Sequence, residues 1–144
     1  MKIKKATEKD LKEIGKLMLS EFSKPPFNEK ASITEVLKSL RFYFKIGNIF
    51  VAINDNQIIG IMVVKFEQYW EGEVAIVEDL VVNSKFQSKG IGKKLMENLE
   101  NGCKRKSVKR ILFDTHKDSS ALKFYNKIGY KINKNRIQMY KNLK

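Results

Sequence analysis

The sequence predicts a mixed α/β fold in a single domain over residues 1–144. Three observations predict it. β-branched runs occupy Ile49 to Ile53, Gln57 to Phe66 and Val74 to Val82, each bounded by turn residues. Apolar residues recur at helical spacing from Leu11 to Phe22, from Ile33 to Phe44 and from Ile91 onward. The two kinds of segment also interleave along the chain, which is the pattern of helices packed on a sheet.

Ile3 to Ala6 reads as a short first strand. Thr7-Glu-Lys-Asp10 has the form of a capping box with Asp in place of Glu, and Leu11, Ile14, Leu17, Met18 and Phe22 carry the first helix. Pro25 and Pro26 stop it, because proline has no N–H to give. Ser32-Ile-Thr-Glu35 is a full capping box that opens a second helix, which Gly47 ends. The strands from Ile49 and Gln57 are joined by Asn54-Asp-Asn56, a hairpin turn, and Tyr69-Trp-Glu-Gly72 closes the next hairpin before the fourth strand. A third helix is expected from about Ile91 to Lys106, then a buried-type strand from Arg110 to Thr115. Asp118 is placed to N-cap a fourth helix through Ala121, Phe124, Tyr125 and Ile128, with Gly129 just past its end. Tyr130 to Ile132 and Arg136 to Tyr140 read as a last pair of strands around Asn133-Lys-Asn135. The resulting order is βααβββαβαββ.

Composition limits the function classes. Hydrophobic content of 42% and charged content of 31% are those of an ordinary water-soluble domain. No apolar run reaches membrane-spanning length, and a cytoplasmic location is the expectation. One cysteine, Cys103, leaves no internal disulfide, and with a single histidine, His116, it makes a metal site improbable. The net charge of +13 falls entirely on residues 83–144, because residues 1–82 balance to zero. Lys outnumbers Arg 25 to 4, which weighs against base reading in nucleic acid and favours attraction of a polyanionic cofactor laid over a plain lysine-rich surface composition.

Between the fourth strand and the third helix lies Gln87-Ser-Lys-Gly-Ile-Gly-Lys93. Strand, glycine loop and helix together suit a phosphate: glycine lets the backbone come close, and the first N–H groups of a helix have no internal partner. The spacing fits neither a Walker A loop nor a dinucleotide fingerprint, whose third glycine would stand where Leu95 is. It meets Gln/Arg-x-x-Gly-x-Gly/Ala at Gln87, Gly90 and Gly92. That pattern resembles the acetyl-coenzyme A pyrophosphate loop of the GNAT N-acetyltransferase superfamily. A second stretch, Ala121-Leu-Lys-Phe-Tyr125-Asn-Lys-Ile-Gly129-Tyr130, is similar to the helix-four motif of the same superfamily, and the order of elements matches its fold.

The resemblance implies acetyl-CoA as cofactor, a fourth and fifth strand splayed apart to admit its pantetheine arm, and contacts from Leu80, Val81, Val82, Gln87, Ser88, Lys89, Gly90, Ile91, Gly92 and Lys93. It implies that Tyr125 protonates the departing thiolate and that Glu78 serves as general base, directly or through water. Asp118 stands where relatives often have Asn, and a carboxylate lacks the amide donor, so contact from it is in doubt. Read from the residues, Glu78 and Asp79 are a charged pair inside an apolar strand, a conflict that often marks function, and alternation sends them to opposite faces. Glu67, Glu71 and Glu73 with Tyr69 and Trp70 border the acceptor side in this fold and offer a place for a cation. The acceptor is expected to be a primary amine on a small molecule, a polyamine, an aminoglycoside, an amino-sugar phosphate or similar; protein N-termini stay open, as does pairing into a homodimer. Two other readings stand beside the enzyme: a non-catalytic acetyl-CoA sensor, and a small basic nucleic-acid-binding domain.

Overall fold

The computed structural model describes residues 1–144. A five-stranded sheet in sequential order forms its centre. The strands are β1 (Lys2–Lys5), β2 (Ile49–Asn54), β3 (Gln57–Tyr69), β4 (Gly72–Val82) and β5 (Arg110–Leu112). Neighbours run antiparallel from β1 to β4, and β5 lies parallel to β4. The helices are α1 (Leu11–Phe22), α2 (Ile33–Lys45), α3 (Ile91–Arg105) and α4 (Ala121–Lys127).

Strand alternation divides the interior in two. Val51, Ile61, Val63 and Val81 face α1 and α2, where they meet Ile14, Leu17 and Leu40. Ala52, Met62, Val64, Ala75 and Val77 face α3 and meet Leu95, Met96 and Leu99. No polar or charged residue is fully buried in either layer. The α1–α2 pair is close because Gly15 has no side chain: a Cβ there would stand 3.1 Å from Ile33 Cδ1. Both expected capping boxes form, with the Thr7 N–H donating to Asp10 Oδ2 at 2.7 Å and the Glu35 N–H donating to Ser32 Oγ at 3.1 Å. The β2–β3 hairpin turns through Asp55 and Asn56, both at positive φ, as a two-residue loop of matching twist requires.

Two features place the site. First, β4 and β5 pair at only three positions, Val74 with Arg110 through Ile76 with Leu112, and then part. From Val77 to Val82 the β5-facing edge of β4 is therefore open. Second, β4 bulges: Val63 pairs with Asp79 and Val64 with Val77, so Glu78 is the extra residue. The packing shows the consequence. Val77 and Val81 are four apart and would share a face on an even pleat, yet Val77 packs toward α3 and Val81 toward α1 and α2.

Three expectations need correction. The fifth strand stops at Leu112 instead of Thr115. Asp118 is not the N-cap of α4; that position is Ser120, while the Ala121 N–H is taken by Ser119 Oγ at 3.2 Å. The final strand pair does not form, and residues 130–144 contain no strand. β5 is only three residues long, Arg110–Leu112, so it offers little edge for a further strand to join. The tail's apolar residues find no cover: Ile137, Met139 and Tyr140 are almost fully exposed.

Candidate active site

The loop after β4 is built by its own side chains. The Gln87 amide donates to the Val82 carbonyl at 3.0 Å, and Asn83 Oδ1 accepts the Lys85 N–H at 3.0 Å, folding Ser84–Phe86 into a short 3-10 turn. Ser84 is also tied to α1: its N–H donates to Glu21 Oε2 at 3.2 Å, and Lys24 Nζ donates to its hydroxyl at 2.7 Å. That link between the first helix and the loop, separated by sixty residues of chain, leaves no periodic signal in the sequence.

Gly90 then opens α3 at φ +83°, a left-handed geometry that a side chain would strain, with nothing within 4 Å of where a Cβ would stand. No side chain caps α3. The first intrahelical bond recorded there is Lys94 N–H to the Gly90 carbonyl at 3.0 Å, so the N–H groups of Ile91, Gly92 and Lys93 stand ahead of it at an exposed helix start. The helix dipole adds partial positive charge at that point. Lys89 lies over the Phe86 ring, 5.5 Å from its centroid, and Lys93 leans 3.9 Å from Glu97. Gln87, Ser88, Lys89 and Gly90 are exposed. Gly92 also serves the packing of the helices. A Cβ on it would meet Phe124 Cζ at 3.3 Å, so its absence lets α4 pack onto α3.

That packing sets Tyr125 beside Phe113, the residue that follows β5. Its ring lies 4.5 Å from Phe113 and 5.1 Å from Phe124, centroid to centroid. Burial pushes its phenol up to about 12, so it stays protonated at neutral pH and has a proton to donate. Tyr130 completes the aromatic group 5.2 Å from Phe113 and donates its hydroxyl to Glu100 Oε1 at 2.8 Å, pinning the end of α4 to α3. Glu100 was not legible as a partner, because it reads as one more solvent-facing helix residue.

Leu80, Val81 and Val82 lie on the last part of β4, beside the opening. Glu78 and Asp79 precede them and do not point to opposite faces. Asp79 shares the face of its cross-strand partner Val63, toward α1 and α2. The bulge turns Glu78 the same way, where its Oε1 meets Lys65 Nζ at 3.0 Å. Lys65 also holds Glu67 at 3.1 Å, and these two bonds, Glu78's first, raise its pKa. Asp79 has no ion pair. Burial, then the charges of Glu78 and Glu29, push it up to about 7. Tyr43 of α2 lies against the same pair: burial first, then the Glu78 charge, raises its phenol.

The hairpin acids do not form the open cluster expected of them. Glu67 is held by Lys65, and Glu71 is bonded to Arg110 at 2.7 Å. Trp70 is fully exposed at the hairpin tip, where Arg136 joins it around a shallow depression of about 400 Å³. Cys103 is a buried thiol in the α3 core layer, and burial raises its pKa. His116 accepts the Asp118 N–H on Nδ1 at 3.1 Å and stands edge-on to Phe27 at 6.0 Å. No helix is long and apolar enough to cross a membrane.

Comparison with known proteins agrees with this geometry. An acetyltransferase (GNAT) domain model matches residues 45–132. Uncharacterized protein YxbD of Bacillus subtilis (strain 168) is 34% identical over 82 residues, 56% of this chain and 48% of that protein. Glucosamine 6-phosphate N-acetyltransferase of Arabidopsis thaliana is 34% identical over 70 residues, 49% of this chain and 44% of that protein. The aligned stretches thus span about half the length of these curated relatives. Over the whole fold, an aminoglycoside acetyltransferase, meta-AAC0020 from an uncultured soil metagenomic sample, superposes with a TM-score of 0.77 at 26% identity, covering 99% of this chain and 96% of that one. With the family model covering most of the chain, and with the loop, the parted strands and the aromatic helix in their places, the protein belongs to the GNAT acetyltransferase family.

Proposed function

We propose that this protein moves the acetyl group of acetyl-CoA to the primary amine of a small molecule by direct attack, with no acetylated enzyme between. The observation that carries the reading is the uncapped, exposed start of α3 behind Gly90, set at the end of the β4 edge that β5 leaves open. Gln87, Ser88, Lys89, Gly90, Ile91, Gly92 and Lys93 would hold the diphosphate through backbone N–H groups and lysine charge. Leu80, Val81 and Val82 would line the pantetheine arm with their free edge and offer an N–H to the acetyl oxygen. The bound thioester supplies an electrophilic carbonyl; the chain supplies orientation and proton handling. Tyr125 would donate to the sulfur as it gains charge, since its phenol is protonated at neutral pH. The carboxylates of the β4 bulge, with Glu78 the one expected from sequence, face the side from which an amine would approach.

The acceptor side is acidic. Glu29, Glu78 and Asp79 share one neighbourhood on the α1 and α2 face. This favours a cationic amine, as on a polyamine or aminoglycoside, over an amino-sugar phosphate, whose negative charge would be repelled. The test is thiol release from acetyl-CoA across polyamines, aminoglycosides, amino-sugar phosphates and peptides, run beside a thermal shift with acetyl-CoA. Amine-dependent release is the expected result. Cofactor binding without release on any amine would replace the enzyme by a sensor. No thermal shift, together with salt-sensitive binding to nucleic acid, would overturn the cofactor reading altogether.

A further inference from the structure

We infer that Asp79, and not Glu78, takes the proton from the incoming ammonium, an inference that rests on the acetyltransferase reading above. The bulge at Glu78 puts both carboxylates on the α1 and α2 face, so direction does not separate them. What each already holds does. Glu78 Oε1 is bonded to Lys65 Nζ at 3.0 Å, and that lysine is clamped a second time by Glu67 at 3.1 Å. To accept a proton, Glu78 must give up a cation that two carboxylates keep charged. Asp79 has neither an ion pair nor a hydrogen bond to lose, and it directly precedes Leu80–Val82, whose β5-side edge is open. The charged and titratable groups facing it are Glu78 on its own strand, Glu29 from the α1–α2 connection and Tyr43 from α2. Lys65, the cation on β3, is engaged by Glu78.

The surroundings also suit the chemistry. A primary ammonium titrates near 10 and an ordinary aspartate near 4, a mismatch of roughly six powers of ten. With Asp79 pushed up to about 7 by burial and by its acidic neighbours, the mismatch falls to roughly three. The protons balance. Asp79 accepts one proton from R–NH3+, the free amine attacks the thioester carbonyl, the C–N bond forms and the C–S bond breaks. The second nitrogen proton passes to the departing sulfur, directly or through the Tyr125 hydroxyl, giving the free thiol. Asp79 returns its proton to solvent. Glu78 then acts through Asp79 as a positioning residue: its fixed negative charge keeps the neighbouring carboxyl basic.

The test compares kcat/KM against pH for wild type, Asp79→Asn and Glu78→Gln, using the best amine of the panel. Wild type is expected to show an acid limb centred near 7. Asp79→Asn should lose that limb and about a hundredfold or more in kcat, while its thermal shift with acetyl-CoA persists. Glu78→Gln should keep the limb but move it to lower pH, because a neighbouring negative charge is gone. The Glu78→Gln profile needs no result from Asp79→Asn, so a folding failure of the latter does not end the test. Loss of the limb in Glu78→Gln, or kcat of Asp79→Asn within about threefold of wild type, would overturn the assignment. Either result is read only against an active wild type. A wild type that releases no thiol instead removes the acetyltransferase reading, and this inference with it.

Discussion

Replacing Asp79 by Asn should stabilise the fold at neutral and alkaline pH, and the size of the gain can be worked from the structure. A carboxyl whose pKa is higher folded than unfolded binds its proton more tightly in the folded state. Its contribution to stability is full below the unfolded value, near 3.8, and is lost as pH rises through the folded value, about 7. The span of about three pH units corresponds to roughly 4 kcal/mol if none of it is screened. Asp79 keeps some solvent access, so a discount to roughly 1–2 kcal/mol is appropriate. Asn has the same shape and no charge, although its amide also lacks a partner and subtracts from the gain. The slope is therefore the sharper readout. Urea melts of both proteins followed by circular dichroism between about pH 4.5 and 8.5 should show the variant's advantage growing with pH, by roughly 1–2 kcal/mol across the window. Titrating groups remote from Asp79 are common to the two chains and cancel in the difference, which leaves Asp79 and the neighbours coupled to it. A difference that does not change with pH, or one that favours wild type more as pH rises, would refute the claim that Asp79 is an unpaired, desolvated acid.

The site makes further demands. Tyr125→Phe should lower kcat by roughly ten- to a hundredfold and leave the acetyl-CoA dissociation constant within about twofold, measured by steady-state kinetics and calorimetry; unchanged kcat would remove the phenol from the reaction. Gly90→Val places a β-branched residue at φ +83° and should cost roughly 1–3 kcal/mol in a urea melt while abolishing the thermal shift with acetyl-CoA. Gly92→Val puts new atoms against Phe124, where even a Cβ would be 3.3 Å from the ring. It should destabilise by roughly 1–3 kcal/mol and slow turnover more than it weakens cofactor binding, because α4 carries Tyr125; the reverse order would make cofactor contact the larger of the two roles of Gly92.

Much of this site can be read along the chain, and the exceptions have a common cause. The capping boxes, the Asn54–Asn56 turn, the helix stripes and the Gly90 loop are local: each is decided by residues within one turn or one hairpin. The bulge is not. Whether Glu78 and Asp79 share a face depends on how β4 registers against Val63 and Val64, and a period of two assumes that nothing has been inserted. The last two strands failed for a related reason, since a strand pattern needs an edge to join. Ile132 and the Ile137–Met139 pair alternate correctly, but β5 offers only three residues of edge and all three side chains stay exposed. Asp118 had the chemistry of a cap but stood two residues before Ser120, and cap position is decided by where the backbone enters the helix. The Glu21–Ser84 and Glu100–Tyr130 links join elements far apart in sequence, where no spacing rule reaches.

The distribution of charge now has a spatial meaning, and it sets a last prediction. Residues 83–144 hold the whole excess of +13, and they include the loop, α3 and α4 on the cofactor side. Residues 1–82 are neutral as a set, but two carboxylates without an ion pair, Asp79 and Glu29, lie together on the α1 and α2 face. The parting of β4 and β5 is where the two sides meet. On the proposed function, a polyanion would be drawn to one entrance and an ammonium to the other, and each would be repelled from the wrong one. The lysines around the loop are exposed, whereas Asp79 is largely shielded, so salt should act unequally on the two substrates. Raising ionic strength from roughly 0.05 to 0.5 M shortens the screening length from about 14 Å to about 4 Å. The KM for acetyl-CoA should then climb several-fold, while the KM for a monoamine changes less, since its last contact is with a carboxylate that is only partly exposed. Equal salt dependence of the two constants would mean that the basic half of the chain does not serve the cofactor, and its lysines would be left as surface composition alone.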